Sequence, residues 1–577
     1  MGKLLPFLKP YKKQIGLMLL LLFAQVMGTL YIPTLTASIV NNGIVAGDLD
    51  YVWKIGGFML LVAIITAATS VLGTYTSTAI STGMGRDIRS ALFRKAQDFS
   101  ANDFSRFGAA SLITRSTNDV TQVQQAFSII VEMLLPAPFM TVAGLILAFS
   151  KNRLLALMLL GAMVIILASM GIVAKKIIPI FEKLQALLDK INRTVRDSII
   201  GVRVIRAFNR AGYEKKRTDA AFSEYADVAI KANKIFAVLL PLIMLLMNIL
   251  SLLFVWFGGQ QVAAGHMEIG DIMAMIEYAV LTLMYLIMGI AVFLFIPRAH
   301  TCAKRISAVL EVKPELTQTE QTGQNASGNA PAAVFQNVTF RYAEAEEAVL
   351  HHLDFAIEKG KTTAIIGSTG SGKSTIASLL MRFYDIQEGS ILMAGRDIRS
   401  YSLEELRDKI GYVPQKAFLF SGTIADNLRH GKKDATIEEM RRAVEIAQIA
   451  DFIENTDQGF DYPVSQGGNN FSGGQKQRLS IARAIIKKPD IYIFDDSFSA
   501  LDFKTDARLR AALKKEVTGS AVVIVAQRIS TILDADQIVV LDDGHIVGKG
   551  THKELMAGCP VYQQIAQSQL SEEELSS

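Results

Sequence analysis

The sequence predicts an α-helical domain of six membrane spans followed by an α/β phosphate-loop domain, and three observations carry that reading. Half of the 577 residues are hydrophobic, yet the apolar excess lies almost entirely before about residue 300. Six apolar runs in that front part are each long enough to cross about 30 Å of hydrocarbon. In the back part, Gly367-Ser-Thr-Gly-Ser-Gly-Lys-Ser-Thr375 fits the pattern of Gly, four residues, then Gly-Lys-Ser/Thr.

A chain of this length exceeds a single core, since domains run to about 150 residues. The composition places a membrane domain at 1–310, a linker at 311–333, an α/β domain at 334–570 and a tail at 571–577. The net charge of +5 fits basic loops on the cytoplasmic side of a membrane. No basic and aromatic residues interleave on one surface motif, so no nucleic-acid partner is expected. The two cysteines, Cys302 and Cys559, lie far apart on segments expected in the cytoplasm, which argues against a structural disulfide.

The first apolar run, 15–40, follows Lys3, Lys9, Lys12 and Lys13. A secretory signal would end after about 7–15 apolar residues, so this longer run reads as an uncleaved first span. The other spans are expected at 55–80, 128–150, 154–174, 236–259 and 271–296. Orientation follows from Lys and Arg: six fall between Arg86 and Gln125 and fourteen between Lys175 and Lys234. The opposite turns hold only Lys54, Lys151 and Arg153. A multi-pass chain in a cell membrane, a bacterial plasma membrane, with both termini on the cytoplasmic side is therefore expected.

The two basic segments are helix-patterned, so the second to fifth spans are expected to continue beyond the bilayer. Their turns, around Asp103–Asn118 and Phe208–Arg217, are expected to dock the nucleotide domain. Within the spans Glu132 and Glu277 are candidate cargo contacts, because an ionisable group at membrane depth is costly and usually faces a cavity or a partner. Met244, Met247, Met273, Met275, Met284 and Met288 add an adaptable apolar surface, either cargo-facing or simple filler.

After the Thr/Gln/Gly/Asn/Ala-rich linker, Val334 to Phe340 alternates like a strand, and Tyr342 follows it as a candidate ring for stacking on adenine. Thr362 to Ile366 reads as a buried strand and Thr375 to Phe383 as a helix. Between them, Gly367, Ser368, Thr369, Gly370, Ser371 and Gly372 supply backbone N–H groups at a helix N-terminus for phosphate. Lys373 reaches the β/γ-phosphates, Ser374 ligates Mg²⁺ and Thr375 completes the loop. Gln415, in Tyr412-Val-Pro-Gln415, is a second candidate Mg²⁺ ligand. Phe471-Ser-Gly-Gly-Gln-Lys-Gln-Arg478 opens a further helix, so Ser472, Gly473, Gly474 and Gln475 form a second phosphate-binding N-terminus. Ile491 to Asp496 is an apolar strand ending in two carboxylates, Asp495 placed for Mg²⁺ and Asp496 for the attacking water.

In this order the motifs resemble the ATP-binding cassette family. Tyr342 corresponds to its adenine-stacking position, Gly367–Thr375 to Walker A, Gln415 to the Q-loop, Ser472–Gln475 to the signature, Phe494–Asp496 to the end of Walker B, and Ser499–Asp502 to the D-loop. The front half resembles the exporter-type fold, with Gly201-Val-Arg-Val-Ile-Arg-Ala-Phe208, Glu214 and Arg217 ahead of the second turn. The resemblance implies ATP and Mg²⁺ as cofactors, a lipid membrane, a small-molecule cargo and a dimer. In that dimer each ATP lies between one subunit's Walker motifs and the other's signature.

Two positions depart from the family's active pattern. The residue after Asp495 is usually Glu, the catalytic base, and here is Asp496. The switch His is replaced by Gln527, which hydrogen-bonds but cannot take up the proton or positive charge that His can. The combination resembles the degenerate-site subunit of heterodimeric multidrug exporters. It implies a second, non-identical half-transporter that supplies the catalytic Glu and switch His. Uptake of metal–chelate complexes and a non-transporting regulator are the competing expectations, whereas six spans exclude a soluble phosphate-loop enzyme.

Overall fold

In the computed structural model the described residues are 2–313, 316, 330–343 and 345–570. The chain divides into two compact units, one of Met1–Gln97 with Gly108–Val312 and the other of Asp98–Phe107 with Lys313–Ser577. Most of the expected linker and all of the expected tail lie outside the described residues.

Among the described residues, the first unit contains six helical segments long and apolar enough to cross a membrane: Gly2–Ile44, Leu49–Gln97, Ala109–Lys151, Arg153–Ile200, Ala211–Ala263 and Ile269–Leu310. Each expected span is the apolar part of a longer helical segment, most of them extended mainly at one end by a polar stretch with helical periodicity. Asn152 separates the third and fourth by capping the latter, its Oδ1 accepting from the N–H groups of Leu154 and Leu155. Small residues, Met140, Ala274 and Met275 pack in the core beside the fully buried Tyr278, whose hydroxyl meets Thr34 Oγ1 at 2.6 Å.

The expected turn at Phe208–Arg217 is shorter than the sequence suggested. Helix resumes at Ala211, so Glu214 and Arg217 sit inside it, and only residues 208–210 are non-helical. Asn209 ends the preceding helix in the left-handed conformation, φ +52°, a state Asn tolerates well. The expected turn at Asp103–Asn118 consists mostly of short helices, Ala101–Phe107 and Ala109–Thr114, then a π-helical turn, Arg115–Asp119.

The second unit is built on strands β1 (Ala333–Phe340), β2 (Leu350–Ile357), β3 (Thr362–Gly367), β4 (Glu388–Met393), β5 (Arg396–Asp397), β6 (Ile410–Val413), β7 (Gly422–Thr423), β8 (Pro463–Val464), β9 (Ile491–Asp495), β10 (Ala521–Val525), β11 (Gln537–Asp542) and β12 (His545–Gly550). Six form one sheet in the order β12-β11-β3-β10-β9-β6, parallel except at β12. Buried on both faces, β3 and β9 read as continuous apolar runs. A four-stranded sheet, β2-β1-β4-β5, carries the aromatic pair Phe335 and Phe355 stacked at 4.5 Å. This topology brings the carboxyl ends of β3, β9 and β10 side by side, the usual place for a ligand in a parallel sheet.

Candidate nucleotide site

The phosphate loop leaves β3 at Gly367 and enters helix Lys373–Leu380, two residues earlier than expected and with its end at Leu380 rather than Phe383. Gly372 caps that helix at φ +91°, where a Cβ would lie 2.5 Å from Leu350 Cδ2. A Cβ on Gly367 would lie 2.2 Å from the Leu541 carbonyl oxygen. Both positions therefore need glycine, and the loop's curl follows from the sequence.

Lys373 is almost fully buried and folds back, its Nζ donating to the carbonyls of Gly367 at 2.9 Å and Ser368 at 2.6 Å. Burial pushes its pKa down, and Asp496 and Asp495 oppose that. A buried ammonium beside a ring of loop amides fits a polyphosphate. Ser374 donates to Asp495 Oδ1 at 2.8 Å, which joins the two expected Mg²⁺ ligands across β3 and β9. Burial raises the pKa of Asp495 despite its bonds from Ser374 and Tyr412. A desolvated carboxylate next to a hydroxyl is a donor set suited to a hard cation. Tyr412, which the sequence reading passed over, donates to Asp495 Oδ2 at 3.4 Å.

A cavity of about 360 Å³ joins most of the expected residues: Tyr342, Thr369, Gly370, Gly372, Lys373, Ser374, Thr375, Gln415, Asp496 and Gln527, along with the unanticipated Val349 and Val525. Tyr342 is held in place, its hydroxyl 3.0 Å from Thr375 Oγ1 and its ring edge-on to Phe340 and Tyr384. Gly367, Ser368 and Ser371 form the loop without lining the cavity.

The carboxylate end of the site is arranged in a way the sequence did not foretell. Asp496 follows β9 in the left-handed region, φ +45°, with its N–H bonded to the Val525 carbonyl at 2.8 Å. Its Oδ2 accepts from Gln415 Nε2 and from Gln527 Nε2, each at 3.0 Å. Gln415, expected as a metal ligand, thus turns its amide nitrogen to Asp496.

Ser472 caps helix Gly473–Ile485: its Oγ accepts from the Gln475 N–H, and Gln475 Oε1 accepts from the Ser472 N–H at 2.8 Å. Ser472 and Gly473 are exposed, and neither Ser472–Gln475 nor Asp502 lines the cavity. Asp502 caps helix Phe503–Glu516 through Oδ1 and Thr505 N–H at 2.9 Å. In the membrane unit Glu277 is half-buried and Glu132 exposed. A cavity of about 690 Å³ between the fourth and fifth spans is lined by neither acid and by none of the methionines singled out above.

Six spans and a phosphate loop set beside two strand-end carboxylates define a membrane-bound phosphate-loop nucleotide-binding protein. Residues 15–287 match the ABC transporter transmembrane region family and residues 350–499 the ABC transporter family. The chain belongs to the ABC transporter family. It is 40% identical over 565 residues to an uncharacterized ABC transporter ATP-binding protein of Mycobacterium tuberculosis, with 97% of each chain covered. It is 36% identical to the uncharacterized YfiB of Bacillus subtilis, covering 99% of each. An ATP-dependent lipid A-core flippase of Pseudomonas aeruginosa is 32% identical over 88% of this chain and 84% of that one. The structure of a bacterial Atm1-family ABC exporter with ATP bound superposes with a TM-score of 0.79 at 25% identity, covering 97% and 99% of the two chains. The protein is thus an exporter-type half-transporter, a membrane ATPase with its transmembrane and nucleotide-binding parts on one chain.

Proposed function

We propose that the chain is the degenerate-site half of a heterodimeric exporter of amphipathic or drug-like molecules. Its own Walker motifs hold ATP, and hydrolysis occurs at the site formed by Ser472–Gln475 with the partner's phosphate loop. The observation that carries this reading is the double hydrogen bond on Asp496. A general base needs a free lone pair within reach of the water it activates. Here the carboxylate is one methylene shorter than Glu, and one oxygen is already occupied by two amides. Misplacement of about 1 Å alone costs on the order of 100-fold in rate.

Mg²⁺, when bound, neutralises charge on the phosphates, and Ser374 and Asp495 are the residues that would hold it. Lys373 and the loop amides bind the phosphates, and Tyr342 borders the base end of the cavity. Gln527 keeps Asp496 from turning toward the phosphates. Amphipathic cargo agrees with the apolar spans and with a relative named for lipid A-core.

The test is ATP hydrolysis by the purified chain, alone and with its partner half. Slow turnover alone, raised about 10- to 100-fold by joint Asp496→Glu and Gln527→His substitution, is expected. Fast hydrolysis by the unaltered chain alone, insensitive to Asp496→Asn, would overturn the proposal.

A further inference from the structure

A pocket of about 200 Å³ opens between the first, second and third spans of the membrane unit, with Ser77 buried at its floor and Thr74 and Glu132 on its exposed side. Four polar side chains line it: Gln25, Thr74, Ser77 and Glu132. Ser77 is fully buried, and its Oγ has no hydrogen-bond partner among the described residues. A hydroxyl removed from water and left unbonded costs about 1–3 kcal/mol, so its persistence points to a bonding group supplied from outside the chain. Glu132 sits in a π-helical turn, Ile130–Leu134, that interrupts the third span. Such turns re-aim side chains and gather at functional sites. Neither the carboxylate of Glu132 nor the side chains of Gln25 and Thr74 bond to another described residue.

The chemistry of this lining selects its ligand. It offers acceptors and one negative charge, with no Lys or Arg, so an anion is disfavoured. The volume is several times the roughly 30 Å³ share of one water, too large for a single dehydrated metal ion. Leu22 and Val131 give the remaining wall an apolar character suited to a short alkyl body. No aromatic ring faces the cavity, which removes the usual means of holding a quaternary ammonium. A primary ammonium, with three N–H donors to share among Glu132, Ser77 and Thr74, matches what is present.

We infer that this cavity binds a primary ammonium group carrying a short apolar body, with Glu132 as its counter-ion and Ser77 as a specificity-determining acceptor. Taken with the exporter reading, the ammonium belongs to cargo. The proposal assigns a charge sign to that cargo, which the heterodimer argument does not.

The test uses the full chain in phosphatidylcholine nanodiscs at neutral pH, with n-butylamine as probe and n-pentanol as the neutral control. Calorimetric titration is expected to show saturable butylamine binding, weakened at least about tenfold by Glu132→Gln, the effect of losing one charge-assisted hydrogen bond. Thr74→Val is expected to weaken it several-fold. Equal binding by wild type and Glu132→Gln, or equally tight binding of pentanol, would overturn the inference. ATP binding measured on the same samples reports whether each variant is folded. It is expected to be unchanged, so failure at this cavity is distinguishable from failure of the nucleotide-site proposal. Adding phosphatidylethanolamine separates two sources of the same chemistry. Weakened butylamine binding then marks an aminophospholipid headgroup as occupant, unchanged binding a free amine, and both retain the ammonium site.

Discussion

Two helix N-termini in this protein are candidates for phosphate binding, and they are equipped differently. Helix Lys373–Leu380 starts at a glycine with no side-chain cap, at a cavity of about 360 Å³ that one carboxylate, Asp496, and two glutamines, Gln415 and Gln527, also line. Helix Gly473–Ile485 starts at an exposed serine that satisfies itself through a capping box. Both offer free N–H groups and a positive dipole end. The difference lies in what stands opposite. The phosphate loop meets a carboxylate already engaged by two amides, whereas Ser472–Gln475 lines no part of that cavity. The proposed reading separates binding from turnover: Asp496 and Gln527 follow β9 and β10, whereas Gly367–Thr375 keeps the phosphate-loop pattern.

The largest expected effect breaks or upholds that comparison directly. In the two-chain complex, Ser472→Arg places a bulky cation over the signature N-terminus and is expected to cut ATP turnover by more than about 100-fold, the scale of losing a preorganised charge-stabilising donor. Lys373→Ala in the same complex is expected to cost less than about tenfold, because it acts at the retaining site. Steady-state phosphate release measures both. Equal losses would mean that the two N-termini serve equivalent sites, and the proposed division of labour would fall.

A smaller effect isolates the cap from the chemistry. Ser472→Ala removes the side-chain acceptor for the Gln475 N–H and is expected to lower the stability of the nucleotide unit by about 1 kcal/mol. Denaturant unfolding without nucleotide measures this. A loss near zero would show that solvent satisfies the exposed N-terminus as well as serine does.

Much of this contrast was legible in the chain, for reasons that differ by element. Six apolar runs announce themselves because span length is a one-dimensional property. The phosphate loop and Ser472–Gln475 are contiguous, so spacing alone carries their geometry. The double bond on Asp496 was not legible, because it joins residues 81 and 31 positions away along the chain. Tyr412 was missed for the same reason. It reaches Asp495, 83 residues on, only because β6 and β9 lie side by side with Tyr412 opposite Ile493. The cavity at Glu132 needed three spans to be packed before Gln25, Thr74 and Ser77 came together. The helix boundary near Arg217 was misplaced because a charged amphipathic segment reads as loop until its neighbour, Asn209, is seen to do the terminating.

The smallest effect concerns Asp502, which the family resemblance makes part of the dimer-facing D-loop and which the structure also makes a helix cap. The backbone N–H of Thr505 holds its carboxyl below the ordinary Asp value. A folded pKa below the unfolded one gives stability that is present above the ordinary value of about 3.9 and is lost as pH falls through the folded value. Asn caps about as well as Asp but does not titrate. Asp502→Asn is thus expected to match wild type in melting temperature near neutrality and to lose less of it on acidification below about pH 4. Thermal unfolding of the full chain across that range measures the difference. The same variant in the two-chain complex separates the two roles of this residue. Unchanged ATP turnover would assign Asp502 to capping alone, and a fall in turnover at unchanged stability would require its charge at the dimer-facing loop.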